Sequence, residues 1–184
     1  MSRAVFASLA MLALSLVLCC AQEVSSTNRQ SQPTPKVIAA QPSPTSLEDR
    51  AAEQKLFELA NERRGEAGAP PLHMDASLTN AARAHARLMV ERQQLSHQFD
   101  GEASLMPRLL ETGLRLDRVG ENVAYNASPE KAFEALMQSP PHRRNLLDPS
   151  FNSAGFAAFW SDGRLYVVQD FAHQSSKLVP TSGK

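Results

Sequence analysis

Apolar residues follow a helical period through most of the chain and change to a strand period near its end. Leu78, Ala82, His85 and Met89 occupy positions i, i+4, i+7 and i+11, so they share one buried face of a helix. The same period, bounded by capping residues, glycines and prolines, predicts helices over about residues 47–67, 75–94, 105–112 and 129–139.

Strand-like segments follow the helices. An extended segment is expected at about 119–125, and two strands at about 155–160 and 165–171. Asp162-Gly163 lies between the last two and is typical of a two-residue hairpin turn. Helices first and a hairpin last predict the α+β class, with a small antiparallel sheet flanked by helices.

The first 21 residues are typical of a secretory signal, because a positive Arg3 is followed by an apolar run and small residues. The run is short for a transmembrane span, although an uncleaved signal anchor is the alternative. Cys19 and Cys20 end this segment, so lipid attachment at either one is a second alternative. The protein is therefore expected to be exported, to the extracellular space or to the cell envelope as a periplasmic or lipid-anchored protein.

Composition separates the rest of the chain into three parts. Residues 22–46 are rich in Ser, Gln, Thr and Pro and predict a disordered linker, residues 47–172 predict the domain, and residues 173–184 predict a flexible tail. Without residues 1–21, 18 basic residues face 19 acidic ones, a net charge of about −1. This balance argues against a nucleic-acid partner. The only two cysteines lie in the predicted signal, so the domain is expected to fold without a disulfide.

The most informative motif is Ser-Pro-Pro-His-Arg-Arg-Asn-Leu-Leu at residues 139–147. Two prolines fix the backbone before a short helical turn, and the leucines anchor that turn to a core, so His142 should point in a fixed direction. His97 and Glu121 are the expected companions of His142. We expect the three side chains to converge on one cleft.

Five short motifs in this order resemble the bacterial branch of the CAP superfamily, the cysteine-rich secretory, antigen-five and pathogenesis-related proteins, whose domain is also called SCP. They are Leu-Phe-Glu-Leu-Ala-Asn-Glu-Arg-Arg at 56–64, Leu-Ser-His at 95–97, Gly-Glu-Asn-Val-Ala at 120–124, the 139–147 motif, and Val-Gln-Asp-Phe at 168–171. The resemblance implies a three-layer α-β-α sandwich. It also implies an open cleft with a tetrad of two histidines and two acids.

In this chain, His97, Glu121 and His142 match three tetrad positions. The fourth position is Ser139, where many eukaryotic members have a glutamate, so one carboxylate is missing. Two imidazoles and a carboxylate could accept a divalent cation such as zinc or magnesium, although no cofactor is expected to be required. A metal-assisted, peptidase-like hydrolase using His97, Glu121 and His142 is therefore the alternative function.

A non-enzymatic binding module is the preferred interpretation, because one acid is missing and no serine nucleophile motif is present. The expected ligand is a small apolar molecule, a cell-wall glycan or another protein. The candidate ligand-binding residues are His97, Glu121, His142, Ser139, Asn122 and Asn145, and the two asparagines among them are expected to bond backbone and hold the loops of the cleft. His85, in contrast, is expected to be structural and to donate to a backbone carbonyl, outside the site.

Overall fold

The computed structural model of the protein describes residues 47–175. The elements in chain order are β1 (Leu47–Glu48), α1 (Arg50–Glu66), β2 (His73–Met74), α2 (Ala76–Arg92), α3 (Leu105–Leu110), β3 (Leu116–Asn126), α4 (Pro129–Gln138), α5 (Pro140–Leu147), β4 (Ser153–Ser161) and β5 (Arg164–Gln174). The predicted signal, the linker and residues 176–184 of the predicted tail lie outside the described residues, as do Cys19 and Cys20.

All the described strands join one sheet in the order β1-β4-β5-β3, with β2 as an extra partner of β4. The β2–β4 pairing is parallel and the other pairings are antiparallel. Helices α1, α4 and α5 cover one face of the sheet, and α2 and α3 cover the opposite face. The predicted α-β-α sandwich is confirmed.

β5 is buried on both faces, which explains its nearly continuous apolar sequence. Val167 and Phe171 pack in the core under α1, α4 and α5, whereas Tyr166 and Val168 pack against α2. Because side chains alternate along a strand, Asp170 belongs to the α2 face.

Local signals in the sequence produce the expected boundaries at several places. The Ser128 hydroxyl accepts a hydrogen bond from the Lys131 N–H at the start of α4, with Pro129 as the first helical residue. Asp75 caps α2 in the same way. Asp162 and Gly163 have φ values of 48° and 72°, as a type I′ hairpin turn requires.

Other boundaries differ from the prediction. The first helix begins at Arg50 and not at residue 47, because Leu47 and Glu48 pair with β4 as a short strand. The third helix ends at Leu110 and not at residue 112, and Leu110 is 45% exposed. β5 continues through Gln174, three residues beyond the predicted end of that strand at Phe171.

Two close contacts set the positions of the helices, one on each face of the sheet. A Cβ added to Gly155 on β4 would lie 2.1 Å from the carbonyl carbon of Leu78, so glycine allows α2 to approach the sheet. On the other face, the fully buried Arg64 donates hydrogen bonds to four backbone carbonyls, those of Pro70, Leu146, Asp148 and Phe151. This guanidinium ties the end of α1 to the end of α5.

No helix within residues 47–175 combines the length and the apolar character needed to cross a bilayer.

Candidate functional site

The candidate site lies at β3, the strand at one end of the sheet, where the two helical layers meet. Successive side chains on β3 point to opposite faces. Glu121 points toward α2 and α3, where it contacts Arg108, whereas Asn122 points toward α5 and bonds the carbonyl of His142. His97, in the loop after α2, contacts Glu121 at this strand.

The structure brings His97, Glu121 and His142 together. His97 Nδ1 lies 2.8 Å from Glu121 Oε1, and the centroids of the two imidazole rings are 6.5 Å apart with planes inclined by 41°. The side chain of His97 is 59% exposed, whereas that of Glu121 is 2% exposed. The imidazoles therefore form the accessible part of the cleft, and Glu121 lies behind them. Their roles toward a ligand remain predictions.

Both carboxylate oxygens of Glu121 already have partners. Oε1 accepts from His97, and Oε2 accepts a close, charge-assisted hydrogen bond from the guanidinium of Arg108. Arg108 is itself buried on α3. The acid of the cleft is thus one half of a buried ion pair, which is held firmly only while both partners remain.

A second layer of polar residues fixes the loop that carries His97. The fully buried His85 donates from Nε2 to the carbonyl of Ser96, at 2.8 Å, and its Nδ1 lies 2.6 Å from Glu102 Oε1. Glu102 also accepts from the Phe99 N–H and from Arg108. These contacts clamp residues 96–102 against α2 and α3.

The expected bond from His85 to a backbone carbonyl is confirmed, but its separation from the site is wrong. His85 Nε2 lies 3.9 Å from Glu121 Oε2, so the ring belongs to the network behind the cleft. Glu102 and Arg108 were missed by the sequence analysis. Arg108 carried one usable signal, since it is the only charged residue in the otherwise apolar helix α3.

The two asparagines connect β3 with α5. Asn145 donates to the carbonyl of Glu121 and to the side chain of Asn122, at 3.1 and 3.0 Å. Asn122 donates to the His142 carbonyl and to Gln169 Oε1, each at 3.1 Å. These bonds hold the backbone on both sides of the cleft, in the manner expected of the asparagines. Their inclusion among ligand-binding residues remains a prediction.

Ser139 separates α4 from α5 and is half-buried. Its side chain does not cap α5, and within residues 47–175 it has no hydrogen bond to His97, Glu121 or His142. The position of the fourth tetrad residue therefore adds no polar contact to the cleft in this arrangement.

The environment moves the pKa values of the two cleft imidazoles in opposite directions. The hydrogen bond to Glu121 raises the pKa of His97 above its ordinary value, despite partial burial. Burial, followed by repulsion from His97, lowers the pKa of His142. As the pH falls, His97 gains its proton first, and the cleft then holds one charged and one neutral imidazole.

The described residues do not form a ready metal site. Between residues 47 and 175, no three or more His, Cys, Asp or Glu side chains are arranged to hold a metal ion. Glu121, the only acid among the three predicted ligands, is engaged by Arg108 and His97. The Glu121 side chain is also only 2% exposed and lies behind the imidazoles, so it is not presented to an ion between them, and the arrangement does not fit the predicted ligand set.

A separate groove of about 610 Å³ lies between α1, α4 and α5. Its apolar lining includes Leu59, Phe133, Met137 and Leu147, and none of the three cleft residues contributes to it. Arg143 is part of its wall. The groove and the histidine cleft are distinct concave regions of the domain.

Together the fold and the site define a class of protein, an α-β-α sandwich that presents a His-Glu-His cleft at the edge of its sheet. The sequence model of the CAP family, described as the cysteine-rich secretory protein family, matches residues 57–171. The chain belongs to this family.

Two curated Bacillus subtilis proteins are similar in sequence. The uncharacterized protein YkwD is 32% identical over 120 residues, covering 65% of this chain and 46% of YkwD. The uncharacterized membrane protein YlbC is 30% identical over 121 residues, covering 65% of this chain and 34% of YlbC. The chain therefore spans less than half the length of these relatives.

Solved structures show the same fold. An extracellular protein with an SCP domain from Bacillus anthracis superposes with a TM-score of 0.63 at 25% identity, over 67% of this chain and 41% of that protein. An outer surface protein from Borrelia burgdorferi superposes with a TM-score of 0.67 at 17% identity, over 72% of this chain and 99% of that protein.

Proposed function

We propose that this chain is an exported, non-enzymatic binding module that takes its ligand between His97 and His142. The secretory pattern of residues 1–21 supports export. The similar Bacillus anthracis protein is extracellular and the similar Borrelia burgdorferi protein is an outer surface protein, which supports the same location. The module acts outside the cell or within its envelope.

One observation carries the preference for binding over hydrolysis. The carboxylate of Glu121 is 2% exposed, and its two oxygens accept from His97 and from Arg108. A general base or a catalytic metal ligand needs a lone pair that can reach water or the ion. Glu121 serves instead to hold and charge His97, and the two imidazoles are left to contact the ligand.

The chemistry of the rings favours a polar ligand for this cleft. A protonated His97 donates a charge-assisted hydrogen bond, and a neutral His142 both donates and accepts. Hydroxyl and carboxylate groups satisfy both rings, whereas an apolar molecule satisfies neither. Of the three predicted ligand classes, cell-wall glycan supplies both groups at high density, and we propose it as the ligand.

Sedimentation with purified, insoluble cell wall tests this function. His97→Ala and His142→Ala should each weaken binding about tenfold, which corresponds to about 1.4 kcal/mol. His73→Ala is the matched control, because His73 is exposed on β2, and β4 and β5 lie between β2 and β3. Equal binding by all four proteins, or no binding by the wild type, would refute the proposed ligand.

The catalytic alternative needs a separate experiment. Peptide, ester and glycan substrates are incubated with the wild type and with His142→Ala, each with and without a chelator. We expect no turnover that depends on His142 and no change of melting temperature on chelation, since no cofactor is required. Hydrolysis lost only in the variant, or a collapse on chelation, would favour the metal-assisted hydrolase.

A further inference from the structure

Unpartnered buried polar atoms cluster around the candidate site. In the described part of the chain, four buried side chains carry a nitrogen or oxygen atom without a hydrogen-bond partner, namely Thr79, Arg108, Gln169 and Asp170. Arg108 bonds Glu121, and Gln169 bonds Asn122, so two of the four touch the cleft's own strand. Asp170 differs from the others, because both of its carboxyl oxygens lack a partner.

The burial of Asp170 restricts its chemical state. The residue is fully buried in the middle of β5. An ionised carboxylate in such a place, with no N–H or O–H directed at it, costs several kcal/mol. A neutral carboxylic acid avoids this cost, and it carries one O–H that needs an acceptor.

The strand register supplies the acceptor. Asp170 is directly opposite Glu121 in the antiparallel β3–β5 pairing, and cross-strand neighbours place their Cβ atoms about 4.5–5.5 Å apart on one face. A carboxylate oxygen accepts more than one hydrogen bond, so the bonds from His97 and Arg108 leave room for a third donor on Glu121. Burial, and then the negative charge of Glu121, also raise the pKa of Asp170 well above its ordinary value.

We propose that Asp170 is a positioning residue of the cleft, a neutral carboxylic acid that donates its O–H to Glu121. The carboxylate of Glu121 then receives hydrogen bonds from three separate elements, the loop of His97, the α3 residue Arg108 and the β5 residue Asp170. Three donors fix both the position and the rotation of the carboxylate. The exposed ring of His97, whose side chain bonds only to Glu121 in the described structure, is thereby held in place.

This inference rests on the proposed function only for the statement that His97 faces a ligand. The hydrogen bonds around Glu121 do not require a bound ligand. Asp170 touches neither ligand nor solvent, so it acts through Glu121 and is not a catalytic residue.

Three variants test whether the protonated carboxyl group of Asp170 matters, or only a side chain at that position. Asp170→Asn keeps the size and a donor but has no ionisable group, and Asp170→Val removes the donor with a residue suited to a strand. Thr79→Val is the matched control, because Thr79 is also buried with an unpartnered oxygen but is absent from the bonds around Glu121.

The first measurement is infrared difference spectroscopy near neutral pH. The carbonyl stretch of a protonated carboxyl group should be present in the wild type and in Thr79→Val, and absent from both Asp170 variants. A carboxylate band that disappears with Asp170 in place of the acid band would overturn the proposal. Asp170→Asn suffices for this test even if Asp170→Val fails to fold.

The second measurement is the NMR signal of the His97 Nδ1–H proton, without ligand. Asp170→Asn should retain the bonded signal, whereas Asp170→Val should broaden it or shift it toward exchange with water. An unchanged signal in a folded Asp170→Val would overturn the positioning role. If these results are as expected but no variant binds cell wall, the positioning of His97 holds and the proposed ligand fails.

Discussion

Each of the two helical layers of this domain contains a buried arginine, and the two arginines are bonded by different kinds of group. Under α1, α4 and α5, the core is apolar, and the buried cation Arg64 is bonded to backbone carbonyls. Under α2 and α3, the buried cation Arg108 is bonded to the carboxylates of Glu102 and Glu121. One layer binds its buried cation with uncharged backbone oxygens, and the other binds it with ionisable side chains.

This difference separates stability from function within one fold. Backbone carbonyl oxygens do not titrate, so the hydrogen bonds that Arg64 makes to them are the same at every pH at which the protein is folded. The layer under α2 and α3 includes His97 and Asp170, whose pKa values are raised, so proton binding acts on this layer. The cleft lies at β3, where α5 supplies His142 and the loop after α2 supplies His97.

The largest effect is expected from Arg64→Met. Loss of the guanidinium leaves four carbonyls without their donor, and we expect a loss of about 4 kcal/mol in the free energy of unfolding. Arg63→Met, which removes only an exposed pair with Glu66, should cost within about 0.5 kcal/mol. Urea unfolding at pH 5 and pH 8 should give the same difference, and a difference that varies with pH would contradict the comparison.

Gly155→Ala should have the next largest effect. Its methyl group would meet the backbone of α2 at Leu78, which cannot rotate away, so we expect a loss of about 3 kcal/mol. Gly65→Ala on α1 is the control, because nothing lies within 4 Å of its added methyl group. That variant should gain up to about 1 kcal/mol from helix propensity. Equal stabilities of the two variants would show that α2 is not seated as closely as described.

Asp170→Asn should change stability in a pH-dependent way. The pKa of Asp170 is raised in the folded state, so its contribution is complete below the unfolded pKa, about 3.9, and is lost as the pH rises toward the folded pKa. The wild type should therefore lose up to about 1.4 kcal/mol per pH unit relative to the variant above about pH 4. Denaturant titrations from pH 4 to pH 7 check this, and parallel curves would contradict the raised pKa.

His97→Gln should have the smallest effect, and its sign also follows from the pKa. The pKa of His97 is raised by Glu121, so its stabilisation is present below the unfolded pKa of about 6.5 and is lost as the pH rises through the folded pKa. The side chain is more than half exposed, so solvent limits the effect to about 0.5 kcal/mol. The wild type should exceed the variant in stability at pH 5.5 and equal it at pH 9. His73→Gln should show no such trend.

Much of the fold could be predicted because its signals are local. The hairpin at Asp162-Gly163 and the cap at Ser128 depend on backbone preferences of one or two residues, and both are confirmed. The short strands β1 and β2 could not be predicted in this way. Each contains two residues, and pairing with β4, about 80 to 110 residues further along the chain, defines them as strands.

The residues of the candidate site also differ in whether a local signal could identify them. His97, Glu121 and His142 could be proposed as neighbours because each lies in a short motif of the family, and the described structure brings them together. Arg108 lies in none of the five motifs, and the Val-Gln-Asp-Phe motif that contains Asp170 does not by itself indicate a contact with Glu121. Their relation to Glu121 depends on which face of β3 a side chain occupies and on the register of β3 with β5.

The amino-acid order by itself determined the period of each long element, its capping residues and its tight turn, since each depends on neighbours within a few positions. The three polar residues of the cleft were proposed from the resemblance of their motifs to the family. Tertiary structure alone decided which charges became buried partners, because burial and register join residues that are distant in the chain. For that reason His85, structural by its local pattern, lies in the network behind the cleft.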